Sequence, residues 1–271
     1  MSLLNKYCKT DFNTYEDFQK NFSLNIPDNF NFAYDVVDEL AKTSPDKAAL
    51  IWCDDTDSND RTFTFKEISE LSNKAANFFK SLGIKKGDSV MLILKRHYQF
   101  WYAMIGLHKI GAIAIPATHL LTKKDIIYRN NSADIKAVVA TNDPNVLKNV
   151  EEAKAESPTL QIQMIVNGEC DGWISFDEGI EKASPVFEKP TGDEMTSNED
   201  IMLIYFTSGT TGNPKMVAHN FTYPVAHIVT AKFWHNLHPG SVHLTVAETG
   251  WAKAVWGKLY GQWMCEAAIF V

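Results

Sequence analysis

The chain opens on short mixed segments and then settles into alternating apolar runs and amphipathic repeats. Phe65, Ile68, Leu71, Ala75, Phe78 and Leu82 recur at three- and four-residue steps, the signature of one buried helix face. Thr64 and Glu67 have the spacing of a capping box at its start, and Gly83 stops it. Residues 90–94, Val-Met-Leu-Ile-Leu, are wholly apolar, as in a strand covered on both sides. The pattern then predicts a helix over 98–109, a strand over 112–115, a helix over 124–132 and a strand over 137–140. A helix over 145–155 and a strand over 161–166 follow, and residues 183–200 turn polar, with two prolines and no period. Strand Ile201 to Phe206 resumes the apolar pattern. Trp256, Tyr260 and Trp263, at i, i+4 and i+7, predict one more buried helix face.

Such β-α alternation predicts an α/β fold with mainly parallel sheets flanked by helices. The polar stretch predicts a division into a first α/β subdomain with an N-terminal extension, residues 1–195, and the start of a second, residues 196–271. Residues 267–271, Ala-Ala-Ile-Phe-Val, read as a core strand and not as a frayed polar terminus, so the chain is expected to be cut within its second α/β unit.

Composition narrows the classes. In 271 residues, 45% are hydrophobic and 22% charged, enough for a sizeable core. A formal charge of -7 argues against nucleic-acid partners. The most apolar stretch, residues 100–117, is interrupted by His108, Lys109, Gly111 and Pro116 and predicts no membrane span. Cys8, Cys53, Cys170 and Cys265 form no close pair, which favours a reducing compartment, and a cytoplasmic location is expected. His235 and His238 lack acidic or cysteine companions at zinc spacing, so no metal site is expected there. The acidic run at Asp54, Asp55, Asp57 and Asp60 reads as an exposed turn.

The chemistry concentrates behind strand Ile201 to Phe206. Thr207-Ser-Gly-Thr-Thr-Gly-Asn-Pro-Lys215 places four hydroxyls, two glycines and a lysine in nine residues. Glycines let consecutive N–H groups face one concavity, hydroxyls add donors without charge, and lysine adds a mobile cation. Charge-assisted hydrogen bonds contribute about 1.5–3 kcal/mol each, so a few hold a polyphosphate. The loop is not a Walker A motif. With Lys215 at the Walker lysine, Pro214 stands where glycine is needed and Met216 where Ser or Thr would bind Mg²⁺.

Ile204-Tyr-Phe-Thr-Ser-Gly-Thr-Thr-Gly-Asn-Pro-Lys215 resembles the signature of the AMP-binding, adenylate-forming enzyme family. Phe63 to Ile68, Leu82 to Asp88 and Lys109 to Pro116 resemble that family's N-terminal landmarks. Val246-Ala-Glu-Thr-Gly-Trp251 is similar to the acetyl- and medium-chain acyl-CoA synthetase branch, with Glu248 where that branch has Asp. The resemblance spans about residues 30–271 and implies the N-terminal part of the adenylate-forming fold. It implies activation of a carboxylic (fatty) acid by ATP and Mg²⁺ to an acyl-adenylate, then transfer to CoA as co-substrate. Carried over, Thr207, Ser208, Gly209, Thr210, Thr211, Gly212 and Lys215 would close over the ATP phosphates, and Trp251 with Gly250 would line the acyl pocket. The family's acidic Mg²⁺ motif, its ribose-binding Asp and its C-terminal domain with the adenylation lysine have no match here. This chain alone is therefore expected to be catalytically incomplete, with no catalytic residue of its own. Two alternatives are an ATP-binding module without catalysis and an adenylation domain that loads a carrier protein.

Overall fold

A computed structural model describes residues 2–54, 59–208 and 212–271. The helices are α1 (Tyr15–Asn21), α2 (Glu39–Thr43), α3 (Phe65–Ser81), α4 (Gln99–Lys109), α5 (Lys123–Ser132), α6 (Pro144–Lys154), α7 (Phe176–Lys182), α8 (Tyr223–Ile228), α9 (Ala252–Gly257) and α10 (Tyr260–Met264). The strands are β1 (Ala48–Trp52), β2 (Arg61–Thr64), β3 (Ser89–Ile93), β4 (Ile113–Pro116), β5 (Ile135–Thr141), β6 (Ile162–Val166), β7 (Ile174–Ser175), β8 (Ile201–Thr207), β9 (Lys215–Asn220), β10 (Val242–Leu244) and β11 (Ala268–Phe270).

They form two sheets. The larger runs β7-β6-β5-β3-β4-β8-β9, parallel throughout except for the β8–β9 pair. Its middle strand β3 is buried along its whole length, as the unbroken apolar run predicts. Helices α3 and α4 pack on one face, with Phe79, Trp101 and Phe176 in the core between them. Helices α5 and α6 cover the other face over a second core that includes Met91, Ile115 and Val138. The smaller sheet runs β10-β11-β1-β2, with β11 parallel to both of its neighbours and β1–β2 antiparallel. Residues 268–270 therefore occupy the interior of a sheet begun by residues 48–64. Trp263, fully buried, donates its Nε1–H to the Ala49 carbonyl at 2.9 Å and fastens α10 under this sheet.

One element departs from the expected pattern. The helix face predicted from Trp256 to Trp263 is two short helices, α9 and α10, broken at Lys258 and Leu259. The Lys258 carbonyl accepts from Trp101 Nε1 at 2.9 Å, and the Leu259 N–H is taken by the Gln262 side chain at 3.1 Å. Tyr260 and Trp263 reach the core, whereas Trp256 is half-buried and stacks on His235.

Candidate active site

The order of the larger sheet creates a switch point. From β3 the chain steps to β4 on one side and then returns to β5 on the other. In open parallel sheets, ligands sit outside the carboxyl ends of the strands at such a point. Here that end is built from Lys95 to Tyr98 after β3, Ala117 to His119 after β4, and Asn142 and Asp143 after β5.

The predicted phosphate loop lies on the same end. Thr207 closes β8 and Lys215 opens β9, and the two pair across an antiparallel ladder. β8 and β9 thus form a β-hairpin, and the element after β8 is a strand and not a helix. Thr207, Ser208, Gly212 and Lys215 are exposed, and Gly212 holds φ +107, which a side chain would strain. Gly209, Thr210 and Thr211 lie outside the described residues. Among the described residues, the Lys215 ammonium has no acidic partner, so its charge is free for an anion. Helix α5 braces the hairpin: the Tyr128 hydroxyl donates to the Pro214 carbonyl at 3.0 Å, and the Arg129 guanidinium lies 5.1 Å from the Phe206 ring centroid.

His219 lies four positions further along β9 than Lys215. Its ring stacks on Tyr223 at 3.9 Å, and burial lowers its pKa. His235 and His243 likewise stack on each other at 4.5 Å. Among the described residues, no three His, Cys, Asp or Glu side chains converge on a metal-sized site.

The segment carrying Gly250 and Trp251 crosses the ends of β3 and β4. An added Cβ on Gly250 would stand 2.1 Å from the Thr118 backbone nitrogen, so only glycine fits there. Trp251 caps α9 with its side chain 61% exposed. Glu248 is half-buried beside Thr118 and His119; burial raises its pKa, and the Gly250 N–H and Thr118 hydroxyl pull it back.

A cleft of about 1200 Å³ opens at this end of both sheets, walled by Trp52 and Tyr98 and bordered by Arg61, Arg96, His119 and Glu248. His97 is fixed on its rim. Asn167 Nδ2 donates to Nδ1 at 3.2 Å, so Nε2 carries the proton and donates to Thr141 Oγ1 at 2.8 Å. Burial accordingly depresses its pKa, and the neighbouring Lys95 charge adds to this. Apart from Glu248, these cleft residues carry no sequence signature; only the fold brings them together.

Comparison with known proteins follows the same geometry. The sequence model of the AMP-binding enzyme family matches residues 37–271. Rat acyl-coenzyme A synthetase ACSM4, mitochondrial, is 33% identical over 253 residues, covering 91% of this chain and 43% of that protein. Human acyl-coenzyme A synthetase ACSM3, mitochondrial, is 34% identical over 268 residues, covering 96% and 44%. The crystal structure of the anthranilate CoA ligase AuaEII in complex with anthranoyl-AMP superposes with a TM-score of 0.80 at 24% identity, over 91% of this chain and 45% of that one, and shows the shared fold. The chain thus spans less than half the length of the relatives it matches. The expected cytoplasmic location is overturned, because these relatives are named as mitochondrial proteins and free cysteines do not distinguish two reducing compartments. With its family model matched over residues 37–271 and its fold shared with a CoA ligase, the chain belongs to the AMP-binding enzyme family.

Proposed function

We propose that the full-length protein is an AMP-forming acyl-CoA synthetase. It activates a carboxylic acid with ATP, releasing pyrophosphate and forming an acyl-adenylate, and the CoA thiol then displaces AMP to give the thioester. The observation that carries this reading is the β8–β9 hairpin, which sets exposed Thr207, Ser208 and Lys215 at the carboxyl end of a parallel sheet, Lys215 having no acidic partner among the described residues.

In this reading Thr207, Ser208, Gly209, Thr210, Thr211, Gly212 and Lys215 hold the β- and γ-phosphates. As the acid's carboxylate attacks the α-phosphorus, negative charge grows on the departing pyrophosphate. Donors already aimed there favour the transition state over the ground state. Trp251 stands as one wall of the acid's pocket, with Gly250 allowing the segment to lie against β4. Mg²⁺ would accompany the ATP phosphates and neutralise part of their charge.

Acid-dependent pyrophosphate exchange by the full-length protein, across acids from acetate to decanoate and benzoate, tests the reading. Exchange with at least one acid is expected, and Lys215→Ala is expected to slow it at least tenfold with a raised KM for ATP. Silence with every acid removes the adenylation reading. An unchanged KM for ATP in the variant removes Lys215 from the phosphate site.

A further inference from the structure

The candidate acid-pocket segment, residues 246–251, is tied to the switch point by contacts that no motif specifies. Lys95, the second residue past β3, has φ +48, a left-handed conformation uncommon for a residue with a side chain. That backbone turns its carbonyl towards the crossing segment, where the fully buried Thr249 hydroxyl donates to it. One residue on, Arg96 Nη2 donates to the Val246 carbonyl at 3.2 Å, and the Arg96 carbonyl accepts from Trp52 Nε1 at 2.8 Å. The Lys95 ammonium reaches Asp143 at 2.7 Å, so the turn is also held from the far side of the switch point. On the β4 side, Gly250 lies directly against the Ala117–Thr118 backbone. Trp251 follows at once, its N–H donating to the Glu248 carbonyl at 3.1 Å.

We infer that Thr249 is a positioning residue: bound to the left-handed Lys95 carbonyl, it fixes where Trp251 stands and so sets which acids are accepted. This rests on the proposed role of Trp251 in the acid pocket. The Thr249 hydroxyl is the segment's own buried side-chain donor to the Lys95 turn, so its loss leaves the Lys95 carbonyl without that partner and lets the tryptophan drift. A displacement of about 1 Å in a positioning element costs on the order of a hundredfold in rate.

The test uses acid-dependent pyrophosphate exchange by the full-length protein. Thr249→Val, nearly the same shape without the hydroxyl, is expected to raise KM for the preferred acid about tenfold and shift the chain-length optimum, with KM for ATP within twofold. Thr249→Ser restores both. Lys95→Gly, which accepts positive φ, stays closer to the parent than Lys95→Ile, which does not. Trp251→Gly separates the two ideas. If it alters the acid profile while Thr249→Val does not, the positioning role is overturned and the pocket stands. If Trp251→Gly leaves the profile untouched, the pocket reading and this inference fall together. A Thr249→Val enzyme whose KM rises equally for acid and ATP also overturns the inference, because that is the mark of a general structural loss.

Discussion

Lys109 carries one of the few fully buried charges in the molecule. Its ammonium donates to Asp38 at 2.7 Å and to the Asn73 side-chain carbonyl at 2.5 Å. Burial lowers its pKa, and the Asp38 carboxylate opposes that. Asp38 also accepts from the Ser69 hydroxyl at 2.6 Å, so helices α3 and α4 and the π-helix Ala33–Asp38 that leads into α2 meet on one carboxylate. A buried pair adds little net stability over an apolar one, but stranding one member is costly. Lys109→Met is expected to destabilise the fold by about 3–5 kcal/mol in urea unfolding, and the double variant Lys109→Met with Asp38→Asn to recover part of it. Equal losses in the single and double variants would show that the ion pair is not what Lys109 supplies. In the sequence Lys109 reads as an interruption of an apolar run and as the start of a family-like segment, neither of which tells that it is buried. Its burial depends on an acid 71 positions upstream, which no local pattern reveals.

Element by element, legibility followed how local the cause was. Helix α3 begins where Thr64 and Glu67 exchange hydrogen bonds, Thr64 Oγ1 accepting at 3.2 Å and Glu67 Oε2 at 2.8 Å. Every partner lies within three residues, so the sequence could show it. Thr64→Ala is expected to cost about 1 kcal/mol, and Thr64→Ser much less, by thermal or urea unfolding. Equal stability of all three proteins would rule the cap out as a contributor. The break between α9 and α10 has a distant cause, since the carbonyl of Lys258 is claimed by Trp101. Aromatic spacing of i, i+4 and i+7 cannot report a competitor 157 residues away. The same holds at the site. The composition of residues 207–215 was enough to suggest an anion loop, but the hairpin that carries it depends on β9 pairing back onto β8. Lys95 gives no warning at all, because left-handed backbone at a lysine is imposed by its surroundings.

At the scale of the whole molecule, histidines set the response to acid. Burial lowers His108 from 6.5 to about 3, with its Nε2 hydrogen-bonded to the Tyr260 hydroxyl at 2.8 Å. His227 is lowered to about 4, and His97, His219, His235 and His243 are lowered too, burial leading in each case. The unfolded chain takes up protons near pH 6.5, while the native state refuses them until its own lower pKa is reached. Stability is therefore complete above about pH 6.5 and is lost as pH falls, for His108 down to about pH 3. Each pH unit in that window costs about 1.4 kcal/mol for a fully buried histidine. Tm is expected to be level from pH 8 to 7 and to fall steadily from pH 6.5 to 4.5; a level Tm down to pH 5 would contradict neutral buried histidines. The smaller sheet has a consequence in time. Strand β1 receives β11 as its parallel neighbour, and the Trp263 bond to Ala49 spans 214 positions. At a synthesis rate of roughly 5–20 residues per second, β1 and β2 leave the ribosome roughly 10–40 s before that neighbour exists. Throughout that interval one side of β1 offers unpaired N–H and C=O groups to any passing strand. The nascent β1–β2 pair is thus open to wrong pairing throughout that wait, and slowing translation between residues 64 and 268 should lower soluble yield more than the same delay placed before residue 48.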